Sequence, residues 1–457
     1  MLNTLRRLRF IELQLLITAL LFFASGYVLT AAARPGSAFT RTPEGLASLL
    51  WPSSLPLVMF VAVSLILAWR LPRADQLLLP VIAVLSGLGL MLMARFQPSF
   101  EALGLTQYGK VADKQTIFVT IGVGLLLFMA LAPLDRLFIR FQRMGLMDWL
   151  KNHRWLWMAL GLVLVGITFL FGEGPEGQDQ KLWLDLGPFQ FQPSELLKVA
   201  LVIFMASYLD QHREVVARGY RVGRITLPPL PYLVPMIGMW GLTMLVIFVQ
   251  RDLGSALLLF GIFLAMLYAA TSKGWYALVG AGAFALGAWG IYQVIPRVSE
   301  RVAIWLDPWT SPQGQGYYQV VQGQYALSAG GIFGSGLGLG SPAIVPAVHT
   351  DFIFVAIGEE LGIAGTMAVL LLYLLLMYRG YDIALSLNPR FRGFEQLFAV
   401  GLTSILVLQA FIILAGVLRV IPLTGITLPF LSYGGSSILI NFLIIGLLLR
   451  ISAASRA

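Results

Sequence analysis

Two ionisable residues lie one helical turn apart in residues 192–198, which read Gln-Pro-Ser-Glu-Leu-Leu-Lys. Pro193 suits the first turn of a helix, and Glu195 and Lys198 are spaced i, i+3, so their side chains share one helix face. We expect an ion pair between them. Two interpretations stay open: the pair neutralises itself near a membrane interface, or the lysine binds a phosphate group of a ligand.

A second polar segment, His349-Thr350-Asp351, precedes a long apolar run that contains Glu359 and Glu360. Asp351 could act as a general base at the membrane surface, or it could cap the helix that follows. In a helix that includes Asp351, Glu359 would lie about 80° round and about 12 Å deeper, with Glu360 on the opposite face. The three carboxylates are therefore not expected to share one small site.

A third segment, residues 297–350, is long and has no obvious membrane span. Its first part combines basic and aromatic residues, among them Arg297, Arg301 and Trp305, and its second part is rich in glycine. No GxxxxGK[ST] motif accompanies the glycines, which argues against a nucleotide site. The basic and aromatic residues are expected to be interface anchors or a clamp for a lipid headgroup.

The fourth segment, residues 422–437, reads PLTGITLPFLSYGGSS. Its prolines and glycines break the chain at the entry to the last apolar run. Broken backbone at membrane depth must be buried in protein or line a wet cavity. We therefore expect either a cavity wall or a tight re-entrant turn with no role in ligand binding.

These segments interrupt a very apolar chain of 457 residues, of which 58% are hydrophobic and 12% charged. A soluble domain has about a quarter of its residues charged, so composition excludes a soluble globular protein. The net charge of +9 comes from basic residues between apolar runs, which favours membrane orientation over nucleic-acid binding. The chain has no cysteine, so it can form neither a disulfide nor a thiolate metal site.

The elements that must position these residues are membrane helices, each of about 20 apolar residues. Hydropathy predicts an all-α polytopic helix bundle with twelve spans, near 11–33, 54–69, 76–94, 116–134, 155–171, 194–209, 229–249, 253–271, 275–296, 351–378, 396–417 and 434–449.

Basic residues predict the orientation of this bundle. With the amino terminus in the cytoplasm, the inner segments hold 20 Lys and Arg residues and the outer segments hold 10. Because cytoplasmic loops are enriched in these residues, both termini are predicted to be cytoplasmic, with residues 172–193 and 297–350 outside. A cleaved signal peptide is the alternative for the amino terminus, but its apolar core is usually only about 7–15 residues long.

The polar motifs occur in an order that is similar to that of a known family. On these motifs, residues from about 80 to 450 resemble the shape, elongation, division and sporulation (SEDS) family of bacterial cell-wall polymerases. The motifs are QPSELLK at 192–198, QRDLGSA at 250–256, WLDPW and GQGYYQ within 305–319, HTDFIF and GEELG within 349–362, and PLTGITLPFLSYGGSS at 422–437.

The resemblance implies a peptidoglycan glycosyltransferase that polymerises lipid II on the outer face of the bacterial cytoplasmic membrane, for cell elongation or division. Its implied partner is a class B penicillin-binding protein. Asp351 matches the family's essential aspartate and is expected to take the proton from the attacking hydroxyl. Lys198, Arg297 and Arg301, in that order, are expected to stabilise the charge of the leaving group.

Glu195, His349 and Ser436 are further predicted to belong to the substrate site, and Glu195 and Lys198 to face the same central cavity as Asp351. A divalent cation, Mg²⁺ or Mn²⁺, could assist the reaction, and Asp351 could then be its ligand instead of the base. No other cofactor is expected. The expected ligands are lipid II and membrane lipids, with no nucleic acid.

The chain departs from the family pattern at its amino terminus. The family usually has ten spans, so we expect two extra transmembrane helices within residues 1–75, followed by a catalytic core at 76–457. The frequent family motif QPDLG is QRDLG here, at residues 250–254.

Two other functions stay open, namely a flippase for lipid-linked precursors and a non-catalytic scaffold that activates the penicillin-binding protein. A transport site belongs near the membrane midplane, whereas the predicted spans put Glu195, Lys198 and Asp351 in the outer leaflet. The sequence therefore favours polymerisation.

Overall fold

A computed structural model describes residues 9–33, 43–133, 144–174, 181–185, 187, 190–218, 220–222, 225–227, 252–310 and 315–455, with isolated positions between 231 and 244. Within these residues the chain is predominantly helical, which confirms the prediction of an all-α membrane bundle. Two antiparallel pairs of short strands accompany the helices in this part of the chain: β1 (Leu184–Asp185) with β2 (Gln190–Phe191), and β3 (Tyr220–Val222) with β4 (Ile225–Leu227).

The described residues contain fourteen α-helices. In chain order they are α1 (Phe10–Ala32), α2 (Pro43–Arg70), α3 (Leu78–Ala102), α4 (Val111–Leu131), α5 (Leu146–Asn152), α6 (Arg154–Phe171), α7 (Pro193–Arg218), α8 (Leu253–Thr271), α9 (Gly274–Val294), α10 (Pro296–Leu306), α11 (Gln315–Gly330), α12 (Ile353–Leu385), α13 (Gly393–Val417) and α14 (Gly435–Ser455).

Nine helices of this part of the chain are long and apolar enough to cross a membrane, namely α1, α3, α4, α6, α8, α9, α12, α13 and α14. In addition, α2 contains a shorter apolar stretch at Leu55–Arg70, and α7 covers the span predicted at 194–209. The span predicted at 229–249 falls largely outside the described residues. The multi-pass architecture is confirmed, while the count of twelve and the cytoplasmic termini stay predictions.

The structure consists of two compact units, and the first holds Met1–Leu131, Pro296–Arg379 and Gln409–Ala457. Its helices α4 and α14 pack along each other. Glycine permits the close approach, because a Cβ on Gly446 would lie 2.7 Å from the carbonyl oxygen of Leu126. This unit contains Asp351 and the broken segment 422–437.

A buried cluster of charges joins helices within the first unit. Arg379 of α12 pairs with the carboxylate of Asp75, which precedes α3. Arg9 donates to the backbone carbonyl of Asp75 and pairs with Glu12 of α1 at 2.5 Å. The amide of Asp75 donates to the hydroxyl of Ser452 in α14 at 3.0 Å. Arg9, one of the basic residues that the sequence assigns to the cytoplasm, is therefore buried in protein.

The second unit holds Ala132–Ile295 and Gly380–Leu408. Its helices α6 and α7 pack together, with Gly161 of α6 against Leu197 of α7. Pro193 is the first residue of α7, as its preference for the first helical turn predicted. This unit therefore supplies the helix that bears Glu195 and Lys198.

The predicted outer loop at 297–350 contains two helices of the first unit, α10 and α11, and a 3₁₀ turn at Pro342–Ile344. The helices have 11 and 16 residues, which is too short for a membrane span of about 20 residues. Hydropathy alone does not reveal α10 because polar and apolar residues alternate along it with helical spacing.

Candidate active site

Asp351 lies in a turn just ahead of α12. The helix begins at Ile353, so the expectation of a helix that includes Asp351 was wrong. Amides of Thr350 and Phe352 donate to the carbonyl of Ala347, at 3.1 and 3.3 Å, and this closed turn ends the irregular chain before the helix. Phe352 occupies the position directly before the helix, so Asp351 lies one residue away from the usual cap position.

The broken segment 422–437 holds this turn in place through its own polar groups. The hydroxyl of Ser432 donates to the carbonyl of Thr350 at 2.6 Å. The amide of Tyr433 donates to the carbonyl of His349 at 2.8 Å. The chain around Ser432 and Tyr433 is not helical, so its polar groups need partners outside a helix. They find these partners in the carbonyls of the residues next to Asp351.

Two residues from different segments come close to the Asp351 carboxylate. Gly425 is exposed with φ +72°, and a Cβ placed on it would lie 3.7 Å from Oδ2 of Asp351. Arg301 of α10 donates to the carbonyl of Leu423 at 3.4 Å, and its positive charge acts on the carboxylate. The broken segment therefore borders the site, with the exposed Gly425 next to the carboxylate. That this segment lines a cavity stays a prediction.

The protonation equilibrium of Asp351 reflects these surroundings. Burial raises its pKa to about 6, while the charge of Arg301 and a hydrogen bond from Thr350 both lower the pKa. A general base works best when its pKa lies near the working pH. Asp351 is therefore ionised at neutral pH and basic enough to accept a proton.

His349 lies in an aromatic cluster rather than in an open pocket. Its ring centroid is 4.5 Å from that of Tyr108, 5.5 Å from Phe100 and 5.8 Å from Tyr433. Burial lowers its pKa to about 4, so the imidazole is neutral at physiological pH. These contacts favour a role in positioning the turn, and direct contact with substrate stays a prediction. Phe100 and Tyr108 carry no sequence pattern that marks them as neighbours of His349.

The two glutamates of α12 bind the glycine-rich chain that follows α11. Glu359 accepts from the amide of Ser341 at 2.7 Å, and Glu360 accepts from the amide of Gly338 at 3.0 Å. Glu360 also pairs with Arg95 of α3 at 3.3 Å. The glutamates therefore fix a loop, which agrees with the expectation that they do not share a site with Asp351.

Glu195 and Lys198 form the predicted ion pair, with 2.7 Å between the carboxylate oxygen and Nζ. Both side chains are buried, with 8% and 3% of their surface exposed. They belong to the second unit, whereas Asp351 belongs to the first. The cavity that they are predicted to share with Asp351 stays a prediction.

Two other predicted site residues lie at helix starts. Arg297 is the second residue of α10, and its side chain falls outside the described residues. Ser436 is the second residue of α14 and is 5% exposed. Substrate contacts of both residues stay predictions.

The described residues contain no group of three His, Cys, Asp or Glu side chains that could hold a metal ion. The charged neighbour of Asp351 in this part of the chain is Arg301, a cation rather than a second carboxylate. These residues by themselves do not form a metal cradle. Assistance by Mg²⁺ or Mn²⁺, with Asp351 as a ligand, stays a prediction.

Sequence comparison decides the family. The family described as "Cell cycle protein", which comprises FtsW, RodA and SpoVE proteins, matches residues 75–457. The chain belongs to this family. "Peptidoglycan glycosyltransferase RodA" of Mycobacterium bovis is 36% identical over 446 residues, which cover 97% of this chain and 90% of that protein. "Stage V sporulation protein E" of Bacillus subtilis is 34% identical over 66% of this chain and 81% of that protein.

Solved structures of the family have the same fold. A chain from a peptidoglycan synthase complex, studied for the coordination of polymerization and crosslinking, is 26% identical, covers 84% of this chain and 98% of its own length, and has a TM-score of 0.65. A mutant of the rod shape determining protein RodA from Thermus thermophilus is 25% identical, covers 83% and 97%, and has a TM-score of 0.53.

Membership of the FtsW/RodA/SpoVE family confirms the resemblance to the SEDS polymerases and makes the chain a multi-pass protein of the cytoplasmic membrane. The match to the mycobacterial RodA covers 97% of the chain, so it extends into the amino-terminal segment that the family description leaves out. The predicted boundary between two extra transmembrane helices in residues 1–75 and a catalytic core in residues 76–457 stays a prediction.

Proposed function

We propose that this chain polymerises lipid II into glycan strands on the outer face of the cytoplasmic membrane, with Asp351 as the general base. The coarser prediction, a peptidoglycan glycosyltransferase, is confirmed by curated relatives that carry this activity in their names. The proposal rests above all on one observation: Asp351 lies in a turn held by the broken segment, with a pKa near neutrality and the positive charge of Arg301 acting on its carboxylate.

The reaction is an inverting transfer. The 4-hydroxyl of an acceptor GlcNAc attacks the anomeric carbon of the donor, and the bond to undecaprenyl pyrophosphate breaks with the electron pair on the leaving oxygen. The Asp351 carboxylate takes the hydroxyl proton as the new glycosidic bond forms. Because the turn is held by Ser432 and Tyr433, the carboxylate is in place before the acceptor arrives.

The cations have separate tasks in this proposal. Arg301 keeps Asp351 ionised by lowering its pKa and adds positive charge next to the reacting groups. Lys198, held by Glu195, stabilises the pyrophosphate of the leaving group, with Arg297 as a further cation for the same group. Glu195 acts by orienting the ammonium of Lys198.

The proposed partner is a class B penicillin-binding protein, which crosslinks the strands that this chain would extend. A 26% identical chain has been solved as part of a peptidoglycan synthase complex, and this relative supports the proposal. Whether the complex serves elongation or division is set by the identity of that partner.

A vesicle experiment separates polymerisation from lipid transport. The purified chain and its partner are placed in vesicles with fluorescent lipid II, and products are separated by size. We expect long glycan strands that lysozyme digests. Translocation of the fluorescent lipid across the membrane without strands would contradict the proposal and favour the flippase interpretation.

A further inference from the structure

Two side chains outside the proposed mechanism exchange hydrogen bonds where α10 ends. The indole Nε1 of Trp305 donates to the carbonyl of Arg419 at 2.9 Å. In return, Nη2 of Arg419 donates to the carbonyl of Trp305 at 2.9 Å and to that of Leu306 at 3.4 Å. Arg419 lies just beyond α13, so the two bonds join the carboxyl-terminal ends of two helices.

These bonds satisfy groups that a helix cannot satisfy alone. The last carbonyls of an α-helix have no partner within the helix, and the partial negative charge there attracts a cation. The guanidinium of Arg419 supplies both donors and charge to the end of α10. The backbone of Arg419 has φ +58°, the left-handed conformation of a helix C-cap, and beside it the amide of Val420 donates to the carbonyl of Ala415 at 2.8 Å as α13 ends.

The same helix carries the cation beside Asp351. Arg301 is four residues before Trp305, so both side chains lie on one face of α10. Arg301 reaches the carbonyl of Leu423 at 3.4 Å, which is a long and weak hydrogen bond. Because α10 has only 11 residues and Arg301 lies one turn from Trp305, a movement of the carboxyl-terminal end of the helix also moves Arg301 relative to Asp351.

We propose that Trp305 and Arg419 form a clamp that positions Arg301 beside Asp351, and that both are positioning residues for the transfer reaction. This inference rests on the proposed function for its effect on catalysis. The clamp itself is a structural statement, and it can be tested without substrate.

The first test measures the mobility of α10. Since the chain has no cysteine, a single Glu300→Cys substitution carries a nitroxide label at an exposed position of this helix. The spectrum is recorded for the full chain in detergent, with and without Arg419→Met. We expect Arg419→Met to increase label mobility and Lys110→Gln, which removes a positive charge at an exposed position between α3 and α4, to leave it unchanged.

The second test measures strand synthesis from lipid II with the partner present. We expect Arg301→Gln to reduce the rate by about 100-fold, as for loss of a preorganised charge. Arg419→Met should reduce it by about tenfold or more because a small displacement of a reacting group suffices for such a loss. The double variant should be no slower than Arg301→Gln alone, since the clamp acts through Arg301.

Conservative variants keep the proposal testable if Arg419→Met folds poorly. Arg419→Lys retains a cation that can donate to the same carbonyls and should recover most of the rate. Trp305→Phe retains an aromatic ring but loses the indole N–H donor, so it should reduce the rate of strand synthesis less than Arg419→Met does.

Unchanged label mobility in Arg419→Met would overturn the clamp. Increased mobility with an unchanged rate, or losses that multiply in the double variant, would overturn the positioning role. Failure of the proposed function would appear in a different measurement. If the Asp351→Asn variant still made strands, Asp351 would not be the general base, whatever mobility the nitroxide label shows.

Discussion

At the scale of single residues, Asp351 and Arg301 determine the charge state on which the proposed chemistry depends. Only the ionised carboxylate can accept the hydroxyl proton. Because the pKa of Asp351 is about 6, we expect the rate of strand synthesis to fall as the pH drops through about 6 and to reach a plateau above it. The measurement is the initial rate of lipid II polymerisation as a function of pH.

Arg301 lowers the pKa of Asp351, so its removal has a predictable sign. In Arg301→Gln the acidic limb of the pH profile should move to higher pH, while Lys110→Gln should leave it in place. An Arg301→Gln profile with the wild-type midpoint would indicate that the limb belongs to another group.

Lys198 allows a test that separates structure from function. Removing one partner of a buried ion pair costs roughly 3–5 kcal/mol, because the other charge stays buried without compensation. Lys198→Met should therefore lower both stability and strand synthesis, and Lys198→Arg should have the milder effect. Thermal unfolding in detergent gives the stability, and polymerisation gives the activity.

The matched double variant Glu195→Gln/Lys198→Met removes both charges. We expect it to regain most of the lost stability without regaining strand synthesis. A stable double variant with normal synthesis would return the pair to a purely structural role, which was one of the two interpretations from the sequence.

Motifs identified the residues but not their neighbours. Asp351, Glu195 and Lys198 stand out because charges are rare in apolar runs. The family resemblance assigned Arg301 to the same reaction as Asp351, but the effect of its charge on the Asp351 carboxylate could not be predicted, because a contact between residues so far apart in the chain depends on tertiary packing. The aromatic neighbours of His349 were missed for the same reason, since Phe100 and Tyr108 carry no distinguishing pattern.

At the scale of elements, α12 is interrupted at Gly362, where the glycine-rich chain after α11 docks. Gly362 has φ +66°, and a Cβ there would overlap the backbone of Ile332 and Gly334. We expect Gly362→Ala to lower the free energy of unfolding by at least about 1–3 kcal/mol, since strain and overlap both oppose it. Thermal unfolding in detergent measures this loss.

Gly124 in α4 is the matched control. It has helical backbone and open space where an alanine methyl group would lie, so Gly124→Ala should raise stability by about 0.5–1 kcal/mol. Equal stability of the Gly362→Ala variant and the wild type would contradict the docking role assigned to this break.

Hydropathy predicted most helices because membrane spans are long and uniformly apolar. The first three predicted spans, for example, overlap α1, α2 and α3. The short amphipathic helix α10 was not predicted, and the turn at Asp351 was taken as helix. Hydropathy misses α10 because the helix is amphipathic rather than uniformly apolar. It misses the turn because tertiary contacts with the broken segment hold that turn.

At the scale of the whole molecule, the proposed reaction requires Asp351 to face the outside of the cell. The cysteine-free chain permits a direct test of orientation. A cysteine at Lys110, in a segment predicted outside, should react with a membrane-impermeant maleimide in intact cells. A cysteine at the exposed Pro389, predicted inside, should react only after lysis. The opposite pattern would overturn the predicted orientation.

Strand synthesis by Asp351→Asn is the decisive measurement for the proposed chemistry. The purified variant is assayed with its partner and labelled lipid II, beside Asp113→Asn, which removes an exposed carboxylate in the first turn of α4. We predict that Asp351→Asn makes no glycan strands while it keeps the wild-type unfolding temperature and partner binding, and that Asp113→Asn remains active. Near-normal strand synthesis by Asp351→Asn would contradict the assignment of Asp351 as the general base.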